Sequence, residues 1–480
     1  MLTDLFTKTP LFFFIQSFWR DEGFTYLMAK LPILEILKTT AKDFNPPVYY
    51  ILMHYWMMIF GSSEVSMRSV SLIFFAVNIY FFYLFCKNIL KIKSKIIWGY
   101  TFLFAINPFL VYYAFEARMY SMFALLTTLS MYFFLQKKWG KYLIFSILGI
   151  YTHYFFIFVL ASQFIYMINC HCEERRDAAI PLRSVLRRGW FDRLTTRFFA
   201  TLRMTDEKGR MIKNFFIIGL TFLPWFIYIF PTITSKTENF WMGKLNLYQV
   251  FESIGILFTG YENVYGFYDR DISMLSLILA IVIFFGLWFR QKTSEQMHEV
   301  HFSSRSSLED KGIFFLLFLW GFIFYFLIVV IGIFKPIFTP RYLIFSAVGF
   351  VFLITYLLEK MPKILRFLIL IVLILYSLSY NNLQALHKRK GDIRSTVNKI
   401  KVEIKKGDLI YVRNETMYFM LSYYFPEEGV YVYGKNYEEI PYYVGLALLP
   451  KAKITQSLPL YPHKAFILID DYNYIVQSRL

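Results

Sequence analysis

Cysteine is scarce in this sequence: Cys86, Cys170 and Cys172 are the three among 480 residues. Three cysteines make no disulfide framework, and Cys170-His171-Cys172 lacks the paired spacing of a zinc site. Charge is thin as well, at 18% of residues against about 25% in soluble domains. What charge there is leans one way, to a formal net +18. The Lys and Arg residues lie in short clusters between hydrophobic runs, where the positive-inside bias of membrane proteins puts them, so the excess reads as topology and nucleic acid is not an expected partner. No Gly-rich phosphate loop of the Walker kind appears, and nothing points to a nucleotide-driven pump.

In place of charge the chain has apolar and aromatic residues, 57% and 21%, with a mean hydropathy of +0.46. Apolar stretches long enough to cross roughly 30 Å of hydrocarbon recur along most of the chain, so a cleaved leader does not explain them. The pattern predicts eleven spans, at about 2–18, 66–86, 96–114, 119–136, 141–151, 153–169, 213–231, 272–290, 312–334, 341–359 and 363–381. The basic connectors at 87–95, 137–141, 170–213, 290–311 and 360–366 all fall on one side if the N-terminus is cytoplasmic. That parity requires the segment Asn45 to Gly61, which opens on Pro46-Pro47 and carries Tyr49, Tyr50, His54, Tyr55 and Trp56, to lie along the interface. Residues 24–44 read as another surface helix, with Phe24, Leu27, Leu31, Leu34 and Leu37 at near-helical spacing.

The fold expected is an all-α polytopic membrane protein, with about 11 transmembrane helices and interfacial helices in the first external loop. A small C-terminal α/β extracytoplasmic domain follows, so that 1–384 form the membrane domain and 385–480 the external one. Strand-like runs LIYV (409–412), VYVY (430–433) and AFILI (465–469) carry the second assignment. Asp470-Asp471 at a strand end reads as loop solvation. The Arg-rich stretch Cys170 to Thr205, part of an expected cytoplasmic insertion at 170–211, has no apolar periodicity. It resembles the translation products of dispersed bacterial repeat elements, and no catalytic role is assigned to it.

On the predicted outer face, charged residues cluster in short links beside apolar helices: Asp21-Glu22, Arg68, Glu116-Ala117-Arg118, and Lys335 to Arg341. Each has a structural reading, with Arg118 neutralising Glu116 and Arg68 capping an interfacial turn. Gathered at one water-filled mouth they suit group transfer from a lipid phosphate. A carboxylate accepts the proton of an attacking hydroxyl, and arginines hold a phosphate by bidentate, charge-assisted bonds.

In order, the stretches FWRDEGFTYLMAK, FNPPVYYILMHYWMMIFGSSEVSMRSVS, NPFLVYYAFEARMYSM, YTHYFFIF and TPRYLIFS resemble the integral-membrane C-type glycosyltransferases. The bacterial proteins similar to dolichyl-phosphate-mannose protein mannosyltransferases and to the lipid A aminoarabinose transferase are the nearest kin in this resemblance. It implies a hexosyl or pentosyl group moved from a polyprenyl-phosphate donor to a glycan, lipid or protein acceptor, at the extracytoplasmic face of the cell membrane. It maps the catalytic base, or the group that positions the acceptor, onto Asp21 with Glu22 in support. It maps donor-phosphate contacts onto Arg118, Tyr120, Arg341 and Tyr342, to which Arg68 is added, with Glu116, Asn45 and His153 as supporting residues. No cofactor is certain. A divalent metal stays open, with His153 and Glu116 as candidate ligands. Asn45 stands where some relatives carry an acidic metal ligand before the proline, and His153 reads equally well as the cap of a broken helix.

The competing class is a transporter or flippase of lipid-linked sugars, which would mark its pathway with charges inside the spans. Here the span middles are nearly free of charge. A scaffold whose external domain binds a partner is a third reading, and it predicts that Asp21 tolerates change.

Overall fold

The computed structural model describes residues 8–177, 206–235, 244–262, 271–299, 304–426 and 429–479. Residues 178–205, the heart of the expected insertion, lie outside them. Among the described residues six helices are long and apolar enough to cross a membrane: Glu64–Asn88, Gly209–Thr232, Ile272–Lys292, Asp310–Phe334, Pro340–Lys360 and Lys363–His387. A seventh span is the pair Ile97–Ala105 and Pro108–Ala114, bent by 53°. The protein is thus a polytopic helical bundle, and among the described residues six or seven helices meet that length and apolarity where eleven spans are expected.

The difference has local causes. The predicted span at 2–18 is, over its described part, a four-residue helix, Phe12–Ile15, ended by extended backbone at Gln16. Predicted spans at 119–136, 141–151 and 153–169 are the shorter apolar helices Tyr120–Leu135, Trp139–Ile150 and one whose apolar part is Phe156–Asn169. The bend in the 96–114 span comes from Asn107, whose side chain accepts the Leu110 N–H at 3.2 Å while Pro108 opens the next helix. Part of the external loop expected at 232–271 is an apolar helix, Leu247–Thr259, opened by a capping box at Asn246 and Gln249.

The surface helix expected at 24–44 is two helices, Arg20–Lys30 and Ile33–Asp43. Leu31 stands before Pro32, which disfavours helical backbone at that position, and it is extended with ψ 153°. Asp21 and Glu22 sit in the first turn of the first helix, where carboxylates meet the positive end of the helix dipole. Val48–Phe60 follows Pro46-Pro47 as a third short helix.

The bundle is polar at two ends. At one, Lys360 pairs with Asp310 at 2.7 Å, Arg366 with Glu359 at 2.7 Å, and the Tyr100 hydroxyl donates to Glu359 at 2.9 Å. The opposite end carries the Arg20–Lys30 helix and the C-terminal domain.

That domain is a five-stranded mixed sheet in the order β3-β2-β1-β4-β5, with β1 Leu409–Val412, β2 Val430–Tyr433, β3 Ile454–Thr455, β4 Ala465–Leu468 and β5 Tyr474–Gln477. All neighbours are parallel except β4 and β5. The three strands expected from sequence are β1, β2 and β4. Ile410, Val412, Val432 and Leu468 are buried on one face, Tyr411 and Ile467 on the other, as strand alternation requires. Asp470 accepts the N–H groups of Tyr472 and Asn473 in a turn.

The helix Met417–Tyr424 lies directly on Arg20–Lys30. A Cβ on Gly23 would stand 2.6 Å from the Phe419 carbonyl, so only glycine permits this approach. Tyr424 receives the Phe18 N–H at 2.9 Å and donates to Glu64 at 2.6 Å. Arg394 donates to Glu64 at 2.8 Å and to the Ile15 carbonyl at 3.0 Å.

Candidate active site

Helix geometry sends the side chains of Asp21 and Glu22 about 100° apart, and each meets a different set of cations. Glu22 is fully buried. Its two oxygens take the Arg68 Nε and Nη2 at 2.7 and 2.6 Å, the Ala117 N–H at 3.0 Å and the Lys390 ammonium at 3.1 Å. Arg68 spends its remaining donors on the carbonyls of Phe14, Gln16 and Ser17, at 3.1, 2.6 and 3.1 Å. All five guanidinium N–H groups are therefore engaged within the protein.

Asp21 lies at the edge of the cluster, with its side chain 12% exposed. Arg341 Nη1 donates to it at 3.2 Å, while Arg20 Nε and Arg118 Nη2 stand at 3.4 and 3.9 Å. Burial pushes its carboxyl up, but the charges of Arg118, Arg20, Arg341 and Lys390 outweigh that and hold it at about 2. Glu22 is likewise held at about 2 against burial, by Arg68, Lys390 and the Ala117 N–H.

Arg118 is loosely held. Its Nη1 reaches the Asp21 carbonyl at 3.4 Å and the Tyr50 hydroxyl at 3.5 Å, and its buried Nε has no hydrogen-bond partner. Its guanidinium carbon is 6.0 Å from the centre of the Tyr120 ring. Arg341 bridges two carboxylates, Asp21 and, through Nη2 at 3.3 Å, Glu262. Tyr342 packs 5.4 Å from the ring of His153.

Glu116 is 1% exposed, and neither of its carboxylate oxygens has a hydrogen-bond partner. Its carbonyl is fixed by the Ser71 hydroxyl at 2.6 Å and the Arg118 N–H at 2.7 Å. Burial raises its carboxyl to about 7, with Lys390 and Arg341 pulling down and Glu22 and Asp21 pushing up.

His153 stacks on Phe123 at 4.5 Å and accepts the Phe155 N–H at 3.2 Å, which caps the break between two helices. Burial, then Arg118, depresses its pKa to about 3, so the ring is neutral. Asn45 donates to the Asp43 carboxylate and gives its N–H to the Thr40 carbonyl at 2.9 Å. Among the described residues no three His, Cys, Asp or Glu side chains converge as metal ligands. No step is routed through a metal here.

Three participants escaped the sequence. Glu262 lies just past the helix Leu247–Thr259, in a stretch that read as loop. Lys388 and Lys390 follow the last span: Lys388 donates to the Gly260 carbonyl at 3.4 Å and lies 3.7 Å over the Tyr112 ring, and Lys390 also gives its N–H to Gln16 at 3.1 Å. Burial lowers both ammonium groups, Lys388 to about 8. The signal was present in His387-Lys388-Arg389-Lys390, a basic run at the span end predicted to face outward, where the positive-inside rule expects few cations.

Residues 45–181 match the family model for dolichyl-phosphate-mannose-protein mannosyltransferase. The matched stretch holds Asn45, Arg68, Glu116, Arg118, Tyr120 and His153. Asp21 and Arg341 lie outside it. No curated protein matches the chain. Among solved structures, ArnT from Cupriavidus metallidurans bound to undecaprenyl phosphate shares the fold: TM-score 0.52 at 10% identity, over 97% of this chain and 93% of that one. The apo state of the same ArnT aligns with a TM-score of 0.48 at 10% identity, over 86% and 79% of the two chains. The resemblance read from the residue order is thus matched by a family model over part of the chain, and the fold is shared with ArnT.

Proposed function

We propose that this protein is a membrane glycosyltransferase that moves a sugar from a polyprenyl-phosphate donor to an acceptor at the extracytoplasmic face. One observation carries the reading: a partly open carboxylate, Asp21, set against the guanidinium groups of Arg118 and Arg341 in an otherwise buried cationic pocket. The acceptor oxygen attacks the anomeric carbon. The bond from that carbon to the phosphate oxygen breaks with its electron pair on the phosphate, and Asp21 acts as base for the acceptor proton.

Arg118, with spare donors, and Arg341 grip the leaving phosphate, where charge develops. Tyr120 and Tyr342 wall their side of the pocket. We assign Arg68 to holding Glu22 in place, since its donors are all taken. A groove of about 480 Å³ between the Asp271–Glu299 and Lys363–His387 helices is lined by Met274, Ile278, Val372 and Leu386 together with Tyr376, Ser379 and Asn382. It suits an isoprenoid chain, and the undecaprenyl phosphate named for ArnT supports a donor of that class. Neither supports a particular sugar.

A single displacement with one base inverts the anomeric centre. Transfer from a donor of known anomeric configuration, followed by NMR of the product, tests this: the inverted anomer is expected, and a retained one contradicts the single-displacement reading.

A further inference from the structure

Arg341 is shared between two carboxylates: its Nη1 stands 3.2 Å from Asp21 Oδ2 and its Nη2 3.3 Å from Glu262 Oε2. Both contacts are longer than a well-formed charge-assisted bond, at about 2.7–2.9 Å, so neither acid grips the guanidinium tightly. The two acids differ in how firmly they are themselves braced. Glu262 takes the Tyr113 hydroxyl on its other oxygen at 3.4 Å. The turn that brings it there is fixed by Asn107 Nδ2 on the Phe258 carbonyl at 3.1 Å and by Lys388 on the Gly260 carbonyl at 3.4 Å. Gly260 has φ +66°, and a Cβ there would run into the Phe109 ring, so only glycine permits the turn. Asn107, Phe109 and Tyr113 belong to the Pro108–Ala114 helix and its cap. The Asp21 carboxylate has no such brace: its neighbours are Arg341 and, at 3.4 and 3.9 Å, Arg20 and Arg118.

That asymmetry suits the arrival of a phosphate. A donor phosphodiester brings one negative charge and the departing monoester close to two, and a guanidinium fork matches phosphate oxygens well. Of the two acids on Arg341, the unbraced one gives way first. Its release also helps the chemistry, because a carboxylate set against a guanidinium is a weaker base than one set free.

We infer that Glu262 is the positioning residue for Arg341: it keeps Nη2 while Nη1 passes from Asp21 to the donor phosphate, so that the base is released only when the donor is seated. The inference rests on the transferase reading above and gives it an order. The exchange moves ion pairs only. No covalent bond or proton changes place in it, and the single displacement already described follows. Without Glu262 both arms of the guanidinium close on Asp21, and the donor must compete with a two-point pair. Charge counting alone gives the opposite sign, since taking a carboxylate out of a phosphate pocket tightens phosphate binding.

The test is binding of undecaprenyl phosphate to the purified full chain in detergent, for wild type, Glu262→Gln, Glu262→Asp, Asp21→Asn and the double variant of Asp21→Asn with Glu262→Gln. Glu262→Gln should bind about tenfold more weakly than wild type. Equal or tighter binding overturns the inference. Asp21→Asn removes the competitor for Arg341, so in that background the Glu262→Gln penalty should shrink to about twofold or less. A larger penalty there marks Glu262 as a general support of the fold and overturns the inference. If Glu262→Gln does not fold, Glu262→Asp decides: it keeps the charge but is one methylene short, so binding should weaken at least about threefold, and wild-type binding overturns the inference. A wild type that binds no undecaprenyl phosphate removes the polyprenyl-phosphate transferase reading itself, an outcome distinct from any of these.

Discussion

Arg68 and Glu22, 46 residues apart in sequence, are joined at two points, Nε to Oε1 at 2.7 Å and Nη2 to Oε2 at 2.6 Å, with neither side chain exposed. The pair ties the Glu64–Asn88 span to the helix that carries Asp21. Removing Arg68 leaves the buried Glu22 with Lys390 as its remaining hydrogen-bonded cation, and breaking a buried pair costs about 3–5 kcal/mol. Arg68→Ala should therefore destabilise the folded protein by that amount in detergent, as read by denaturant unfolding. A loss of transfer with stability untouched would place Arg68 on the donor phosphate after all.

The two neighbouring carboxylates set a pH window. Asp21 and Glu22 have folded values near 2 against ordinary values of 3.8 and 4.5. A depressed carboxyl stabilises the fold above its unfolded pKa and loses that contribution as pH falls through the folded one. Each is worth about 2–3 kcal/mol. Stability should fall between about pH 4.5 and 2, with a shallower fall in Asp21→Asn, and thermal unfolding across that range checks it.

Gly23 tests how far the C-terminal sheet and its helices belong to the site. A methyl group there would stand 2.6 Å from the Phe419 carbonyl and 2.8 Å from the Met420 nitrogen, both backbone. Overpacking of this kind costs about 1–3 kcal/mol. Gly23→Ala should loosen the domain, which limited proteolysis after the last span would register. Unchanged cleavage would mean that the two helices separate freely.

Much of this was legible in the residue order, and the misses share a cause. The three strands with apolar, β-branched and aromatic runs were found, whereas Ile454–Thr455 is too short and Tyr474–Gln477 too exposed to announce itself. Long spans such as Lys363–His387 were found, but the run before Gln16 was read as a helix because hydropathy does not reveal where backbone turns extended. Asp21, Glu116, Arg118 and Arg341 were named because charge is conspicuous among apolar neighbours. Which cation each carboxylate meets was not legible, since Lys390 reaches Glu22 across 368 residues. The same distance hid the engagement of every Arg68 donor.

Orientation is open to direct test. In a background without the three cysteines, Glu438→Cys beside the C-terminal sheet and Ser94→Cys at the opposite end of the bundle are both at exposed positions. A membrane-impermeant thiol reagent applied to intact cells should label position 438 and spare position 94. The reverse pattern would put the pocket on the cytoplasmic side.

The most direct measurement is transfer of label from a radiolabelled polyprenyl-phosphate sugar pool in membranes, compared for wild type, Asp21→Asn and Arg118→Ala. Wild type should move label to acceptor, and each substitution should lower the rate at least about 100-fold. Transfer that survives both substitutions would contradict the assignment of this pocket as the place where the sugar changes hands.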